Sequence, residues 1–449
     1  MLLNNRTVVF LYKLFIRIYV LAIGFAAIWN KKAREWKKGR KVLFEELSGK
    51  LGKNERIIWF HCASAGELEQ GKPLIEKLKK DFPSHKILIS FFSPSGMHAA
   101  KKYSHADIIC YLPADTKRNA ERFVKLVHPE LVVFVKYEYW YFHLSAIAFR
   151  HIPLLLVSAI FRKEQVFFKG YGKFYRQMLF FFRHIFVQDE ASMKILKAHG
   201  IDHCSIGGDT RFDRVSEIAA FPASLPAIEA FVEDQPVLAA GSTWPNDEKL
   251  LKAAFNSLPG CYKMIIAPHE INEAHISSIQ KLFPEAITYS KLSAIFSTDR
   301  KKGHENSLWE ALENEHRLEV KKLLGTTRIL IIDNTGMLSR LYRYATITYI
   351  GGGFNKSGIH NTLEAAVYGK PVIFGPHYHK FREARDLVAG GAASSISDER
   401  QLQEKLELLT KQPEELERAG SFAKAYVEEN RGATGRIAKF IQENRLLTS

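Results

Sequence analysis

Cysteine is scarce in this chain of 449 residues: four are present, Cys62, Cys110, Cys204 and Cys261, far apart and with no CxxC pair. That excludes a disulfide-built scaffold and a cysteine zinc site, and it points to a reducing compartment. His360, His377 and His379 lie close in sequence but have no zinc-ligand spacing, so no metal centre is expected. Short-period repeats are missing, which excludes a solenoid or a propeller. Acidic charge is in deficit, with 48 Asp and Glu against 64 Lys and Arg, a formal net charge of +16 and a pI of about 9.4. Such a balance favours anionic partners: nucleic acid, acidic lipid or a phosphorylated substrate. The apolar stretch near the N-terminus also lacks uncharged length. Its charge-free part, Ile18 to Trp29, has 12 residues, against the roughly 20 that cross a bilayer.

What is present begins with that stretch. Residues 7–29 are mostly apolar and are interrupted by Lys13 and Arg17, four apart and on one helix face. Counting those two cations, which can snorkel, the stretch is long enough to span; it equally suits a helix lying in the interface. Lys31 to Lys41 then hold seven Lys or Arg in 11 residues. A basic cluster beside an apolar helix suits anionic headgroups and keeps the following chain cytoplasmic. No small-residue cleavage site precedes the cluster, so a secretory signal is disfavoured.

The length predicts two domains. From Arg56 onward, short apolar runs alternate with helical segments: 57–65, 86–90, 108–112, 131–135, 154–157 and 184–187. A second series follows, near 236–240, 264–267, 328–333, 346–350 and 372–374. Runs buried on both faces and alternating with helices predict parallel sheets with helices on each side. Ligands of such sheets sit beyond the strand C-termini. Glu67, Glu138 and the Ser93–Gly96 turn fall there in the first series. Residues 290–322 are charged with weak apolar periodicity and read as a surface insertion.

The densest stretch is 345–393. A strand ends in Gly351-Gly352-Gly353, a helix begins at Asn361-Thr362-Leu363-Glu364, and a second strand ends in Gly375-Pro376-His377. Glycines at a strand end let backbone approach a ligand, and the N–H groups of the next helix face an anion. Glu364 is placed to accept ribose hydroxyls. The plain alternative is a tight βα turn with Glu364 complementing the helix dipole. The Lys380-Phe381-Arg382-Glu383 segment either lines the same pocket or opens the next helix.

Taken in order, Ser64-Ala65-Gly66-Glu67, Glu138-Tyr139-Trp140, Gly241-Ser242-Thr243, the glycine run, His360-Asn361-Thr362-Leu363-Glu364, and Phe374-Gly375-Pro376-His377 with Phe381-Arg382-Glu383 closely resemble the 3-deoxy-D-manno-octulosonic acid (Kdo) transferase family of GT-B glycosyltransferases. The resemblance covers roughly residues 5–430. It implies an α/β fold of GT-B type, two doubly wound Rossmann-like domains with an N-terminal membrane-associated helix. The expected organisation is a membrane helix with basic cluster over 1–41 and an acceptor-binding domain over 42–215. A linker follows over 216–235, then a CMP-sugar-binding domain over 236–430 and a terminal helix over 431–449.

The resemblance also implies inverting, metal-independent transfer of Kdo from CMP-Kdo to the lipid A precursor (lipid IVA), at the cytoplasmic side of the cell inner membrane. CMP-Kdo is then the donor substrate, with no separate cofactor, and nucleic acid is not a partner. Carried over motif by motif, Glu67 is the general base, and Glu138 and Arg211 stabilise the transition state. Pro268 and His269, Thr335, Gly336 and Met337, and Asn361, Thr362, Leu363 and Glu364 contact CMP. Three positions depart from the family's pattern. Pro268-His269-Glu270 stands where Pro-Arg-His is usual, Arg211-Phe212-Asp213 for Lys-Phe-Asp, and Thr335-Gly336-Met337 for Met-Gly-Glu. Arg211 can alternatively pair with Asp209 or Asp213. The rival readings are a GT-B enzyme using a UDP-sugar and a non-catalytic basic protein of the membrane surface.

Overall fold

Parallel strands running between helices build two separate sheets, seen in a computed structural model that describes residues 5–52, 54–136, 138–221, 223–297 and 324–448. The chain divides into two compact units. The first comprises Met1–Arg214 with Asn430–Ser449, and the second comprises Val215–Glu429.

The first unit holds β1 (Ile57–Cys62), β2 (Lys86–Phe91), β3 (Ile108–Tyr111), β4 (Leu131–Val135), β5 (Leu154–Ala159), β6 (His184–Val187) and β7 (Cys204–Ile206). Their order is β3-β2-β1-β4-β5-β6-β7, with every pairing parallel. Strand side chains alternate between faces, and both faces are covered. Trp59, Val132 and Phe134 join one core, and Ile58, Phe60 and Val133 join the other. The strand order reverses direction between β1 and β4. That is the topological switch point, where a crevice opens beyond the strand ends.

The second unit holds β8 (Val237–Thr243), β9 (Lys263–Pro268), β10 (Ile287–Thr288), β11 (Ile329–Ile331), β12 (Ile347–Ile350), β13 (Val372–Phe374) and β14 (Ala393–Ser395), in the order β10-β11-β9-β8-β12-β13-β14. Its switch point lies between β8 and β12. Residues 216–235, expected as a linker, carry the end of the helix Thr210–Ala220 and the helix Pro226–Val232. The latter packs into the second unit: Ile228 and Phe231 are fully buried, and Lys263 donates to the Phe231 carbonyl at 2.6 Å. The first eight residues of the expected insertion, 290–297, lie in the helix Tyr289–Ser297; the rest of it, 298–322, lies outside the described residues.

The N-terminal helix runs Asn5–Ala26 and is, by length and composition, apolar enough to cross a membrane. One stripe of it is docked on the first unit. Tyr12 donates to Asp115 at 2.6 Å and packs on Tyr141, Phe142 and Phe174. Ile16 is buried, and Tyr19 stacks on Phe92. The opposite stripe, including Phe10, Leu14, Ile18, Leu21 and Phe25, is exposed. The basic helix that follows, Lys31–Lys41, does not turn all its cations outward. Arg40 is half-buried over the Trp36 ring at 3.8 Å and donates to the carbonyls of Leu112 and Phe92 at 2.7 and 2.9 Å. Burial lowers its pKa to about 9.

Candidate active site

In the first unit the fully buried strand β1 ends at Cys62, and the chain turns through Ser64 into the helix Ala65–Asp81. Glu67 falls in the first turn of that helix. Its carboxylate accepts from the Ser64 hydroxyl, which also sits at the N-cap. An acid in this turn complements the helix dipole, so the local sequence alone accounts for its position. Glu138 reaches the same place from β4. It accepts from the Trp140 indole N–H and lies 3.3 Å from His61 Nε2. His61 is itself buried on β1 and is held through Nδ1 by Ser90 at 2.9 Å. The two carboxylates act on one buried thiol: burial first, then Glu67 and Glu138, push the pKa of Cys62 upward. Both carboxylates therefore stand at the switch point of the first sheet.

Arg211 opens the helix Thr210–Ala220, after β7. It binds Asp209 through Nε at 2.9 Å and through Nη2 at 2.7 Å, and its own N–H donates to the other carboxylate oxygen at 2.9 Å. Asp213 instead caps the C-terminal helix, accepting from Thr434 N and Oγ1. Burial opposes ionisation of Asp209, yet Arg211 and, behind it, Lys136 bring its pKa below the ordinary value. Asp209 also accepts from Gln70 Nε2 at 3.2 Å, and Thr210 Oγ1 donates to the Gln70 carbonyl. Gln70 lies one turn beyond Glu67. The Arg211 segment is thus tied to the Glu67 helix. Lys136 and Ser158, at the ends of β4 and β5, hold left-handed backbone with φ of 73° and 55°. Such conformations concentrate at functional strand ends.

In the second unit the predicted residues also gather beyond strand C-termini. Pro268 closes β9, and His269 follows it. The His269 ring stacks on Trp244, after β8, at 4.9 Å, and on His360, after β12, at 4.2 Å. Trp244 Nε1 approaches His360 Nε2 at 3.5 Å. Burial, with His269 second, lowers the pKa of His360 to about 4, and burial lowers that of His269. The three rings form a stack whose imidazoles burial keeps neutral, and the open side of such a stack suits a planar heterocycle. Here the imidazole standing for the usual guanidinium is one ring of a stack.

Thr335 and Gly336 are exposed after β11, Gly336 has a φ of 88°, and Met337 is buried before the helix Leu338–Leu341. Asn361 Nδ2 donates to Glu364 at 3.1 Å, and Leu363 N donates to Asn361 Oδ1 at 3.2 Å. The helix there, Leu363–Ala366, is a single turn, so its dipole is small. Burial, then Glu364, raises the pKa of Tyr342. The Tyr342 hydroxyl lies 1.9 Å from where a side chain on Gly241 would begin, with Leu338 also close. Glu364, the segment after β11 and the end of β8 are thereby neighbours.

The glycine run serves packing as much as access. A Cβ on Gly351 would stand 2.2 Å from the Ser242 carbonyl, and one on Gly353 would stand 2.5 Å from the Gly375 nitrogen. Asp247 organises this loop and escaped the sequence reading. Buried, with its pKa raised by burial, it accepts from Gly352 N at 3.0 Å, Tyr349 Oη at 2.8 Å and Trp244 N at 2.9 Å. The signal for it was a Pro245 helix start with an acid two residues on. His61 was missed because nothing in a six-residue apolar run marks one polar member. Among the described residues no three His, Cys, Asp or Glu side chains converge as a metal-binding group.

Residues 34–214 match the family described as 3-deoxy-D-manno-octulosonic-acid transferase (kdotransferase). The chain is 27% identical over 359 residues to the 3-deoxy-D-manno-octulosonic acid transferase of Aquifex aeolicus, covering 79% of this chain and 86% of that protein. It is 25% identical over 399 residues to the enzyme of the same name from Haemophilus influenzae, covering 86% of each. In fold it is similar to a putative UDP-N-acetylglucosamine 2-epimerase from Listeria monocytogenes, with a TM-score of 0.56 at 13% identity over 88% of this chain and 98% of that one.

Proposed function

We propose that this chain, which matches the Kdo transferase family over residues 34–214 and resembles its members over most of its length, transfers Kdo from CMP-Kdo to the lipid A precursor with inversion and without a metal. The observation that carries this reading is that Glu67 and Glu138 follow β1 and β4, the neighbouring strands at the switch point of the first sheet, with Glu138 3.3 Å from His61 of β1. In the proposed step Glu67 takes the proton of the acceptor hydroxyl. The oxygen then attacks the anomeric carbon of Kdo from the face opposite the phosphate. The bond from that carbon to the phosphate oxygen breaks, and CMP leaves with its electron pair.

The division of labour follows from what holds each group. Glu67 has one neutral hydroxyl as its partner, so it can accept a proton without giving up an ion pair. Glu138 is fixed by Trp140 and His61; it serves as a set negative charge near the cation-like sugar. Arg211, preorganised on Asp209, offers positive charge to an anionic group. The Trp244, His269 and His360 surface takes the cytosine ring, and Asn361 to Glu364 take the ribose and phosphate. The docked N-terminal helix lies in the interface on the cytoplasmic side, with its exposed stripe in lipid. Its inner stripe is engaged from Tyr12 to Tyr19 with a polar domain, which leaves one face for the bilayer.

The test is incorporation of Kdo from CMP-Kdo into tetraacylated lipid A precursor, read by product mass. Glu67→Gln is expected to lower the rate by about 10²- to 10⁴-fold while CMP binding is kept. No transfer by well-folded wild-type protein would end the proposal, and near-normal transfer by the variant would move the base elsewhere. Comparing CMP with UDP in binding separates this reading from a UDP-sugar enzyme.

A further inference from the structure

We propose that the cavity between the N-terminal helix and the helix Tyr141–Phe149 is a headgroup site for an anionic phospholipid of the surrounding bilayer. The cavity has a volume of about 400 Å³. Lys13, Lys117 and Arg150 line it together with one carboxylate, Glu121. Lys117 pairs with Glu121 at 3.8 Å, which leaves two positive charges in excess. Arg150 is fixed by donating to the Ala146 carbonyl at 3.2 Å. Lys13 is drawn over the Phe142 ring, 6.0 Å from its centre. Lysine and arginine side chains lining one cavity bind phosphate oxygens through charge-assisted hydrogen bonds.

The rest of the lining is apolar: Val9, Phe142, Ala146 and Phe149. Phe149 is 83% exposed, and none of the described residues covers it. The apolar side continues onto the exposed stripe of the N-terminal helix, where Phe10 and Leu14 lie one turn from Lys13 or beside it. A site that is cationic in one part and apolar in the next matches a phosphodiester with acyl chains attached. Free phosphate would use only the first part. The cavity is distinct from the Glu67 and Glu138 pair, and Lys13, Lys117 and Arg150 take no part in the proposed transfer.

The experiment uses the full chain solubilised in detergent and then offered vesicles of phosphatidylcholine alone or mixed with phosphatidylglycerol. Flotation measures partition, and native mass spectrometry measures retained lipid. The wild type is expected to prefer the mixed vesicles and to retain a phosphatidylglycerol molecule. Lys13→Ala, Lys117→Ala and Arg150→Ala combined should reduce the phosphatidylglycerol-dependent partition by at least about tenfold and abolish retention. Lys13→Arg with Lys117→Arg should keep both. An unchanged preference in the triple variant overturns the proposal. So does full displacement of the lipid by millimolar inorganic phosphate, which would mark a free-phosphate site. If the triple variant does not fold, as judged by circular dichroism, Lys13→Glu alone is measured in its place. Loss of Kdo transfer in Glu67→Gln leaves these lipid readings unchanged.

Discussion

Two imidazoles in contact cannot both carry charge at little cost, and His360 shows the consequence. Burial holds its pKa at about 4, against an ordinary value of 6.5. The folded state therefore resists a proton that the unfolded state accepts. Below pH 6.5 the unfolded chain gains a proton that the folded chain does not. Stability is fully present above 6.5 and is lost as pH falls toward 4. His360→Gln should flatten that acid-side slope by at most one proton, about 1.4 kcal/mol per pH unit. Urea midpoints at several pH values would measure it, and an unchanged slope would show that His360 titrates normally. The sequence marked His360 as one of three histidines without zinc-ligand spacing and as the residue before Asn361. Its neutrality depends on His269 and Trp244, which lie 91 and 116 positions earlier in the chain. Ring stacking across three strand ends leaves no local pattern to read.

Short elements explain most of what sequence patterning found and missed. Long runs such as β1 and β8 are buried along their whole length and were legible as strands. The edge strands β7, β10 and β14 have two or three residues each and end their sheets. Their residues, Cys-Ser-Ile, Ile-Thr and Ala-Ser-Ser, mix polar with apolar, so nothing distinguished them from loops, whereas the equally short Ile-Leu-Ile of β11 and Val-Ile-Phe of β13 were legible as apolar runs. The glycine run was legible, but only one of its two purposes was. Glycine is required at Gly351 because the backbone of Ser242 occupies the space a side chain would need. Gly351→Ala should therefore cost about 3 kcal/mol or more. Gly336→Ala meets nothing within 4 Å and should cost about 1 to 2 kcal/mol, through its left-handed backbone alone. Thermal unfolding of the two variants side by side checks the ranking. Equal losses would mean that the loops after β8 and β12 part easily.

At the scale of the whole molecule, the chain's last segment returns to where the chain began. The helix Ala433–Glu443 follows the second unit in sequence but belongs to the first. Ile437, Ala438 and Ile441 enter the core beneath β1 and β4, beside Leu74 and Phe186. Asp213 fixes the start of the segment through Gly432 and Thr434. The sequence separated 431–449 as a terminal helix. It gave no sign of the partner, because docking over more than two hundred residues is decided by surface shape and not by period. The consequence is that the core of the first unit is incomplete without the helix Ala433–Glu443. Ile441→Ala removes a fully buried side chain and should cost about 2 to 5 kcal/mol, all of it from the first unit. Hydrogen exchange at β1 and β4 follows the first unit, and exchange at β8 and β9 follows the second. Lost protection at β1 and β4 with β8 and β9 unchanged is the expected result. Equal loss of protection in both sheets would mean that the two units unfold as one body.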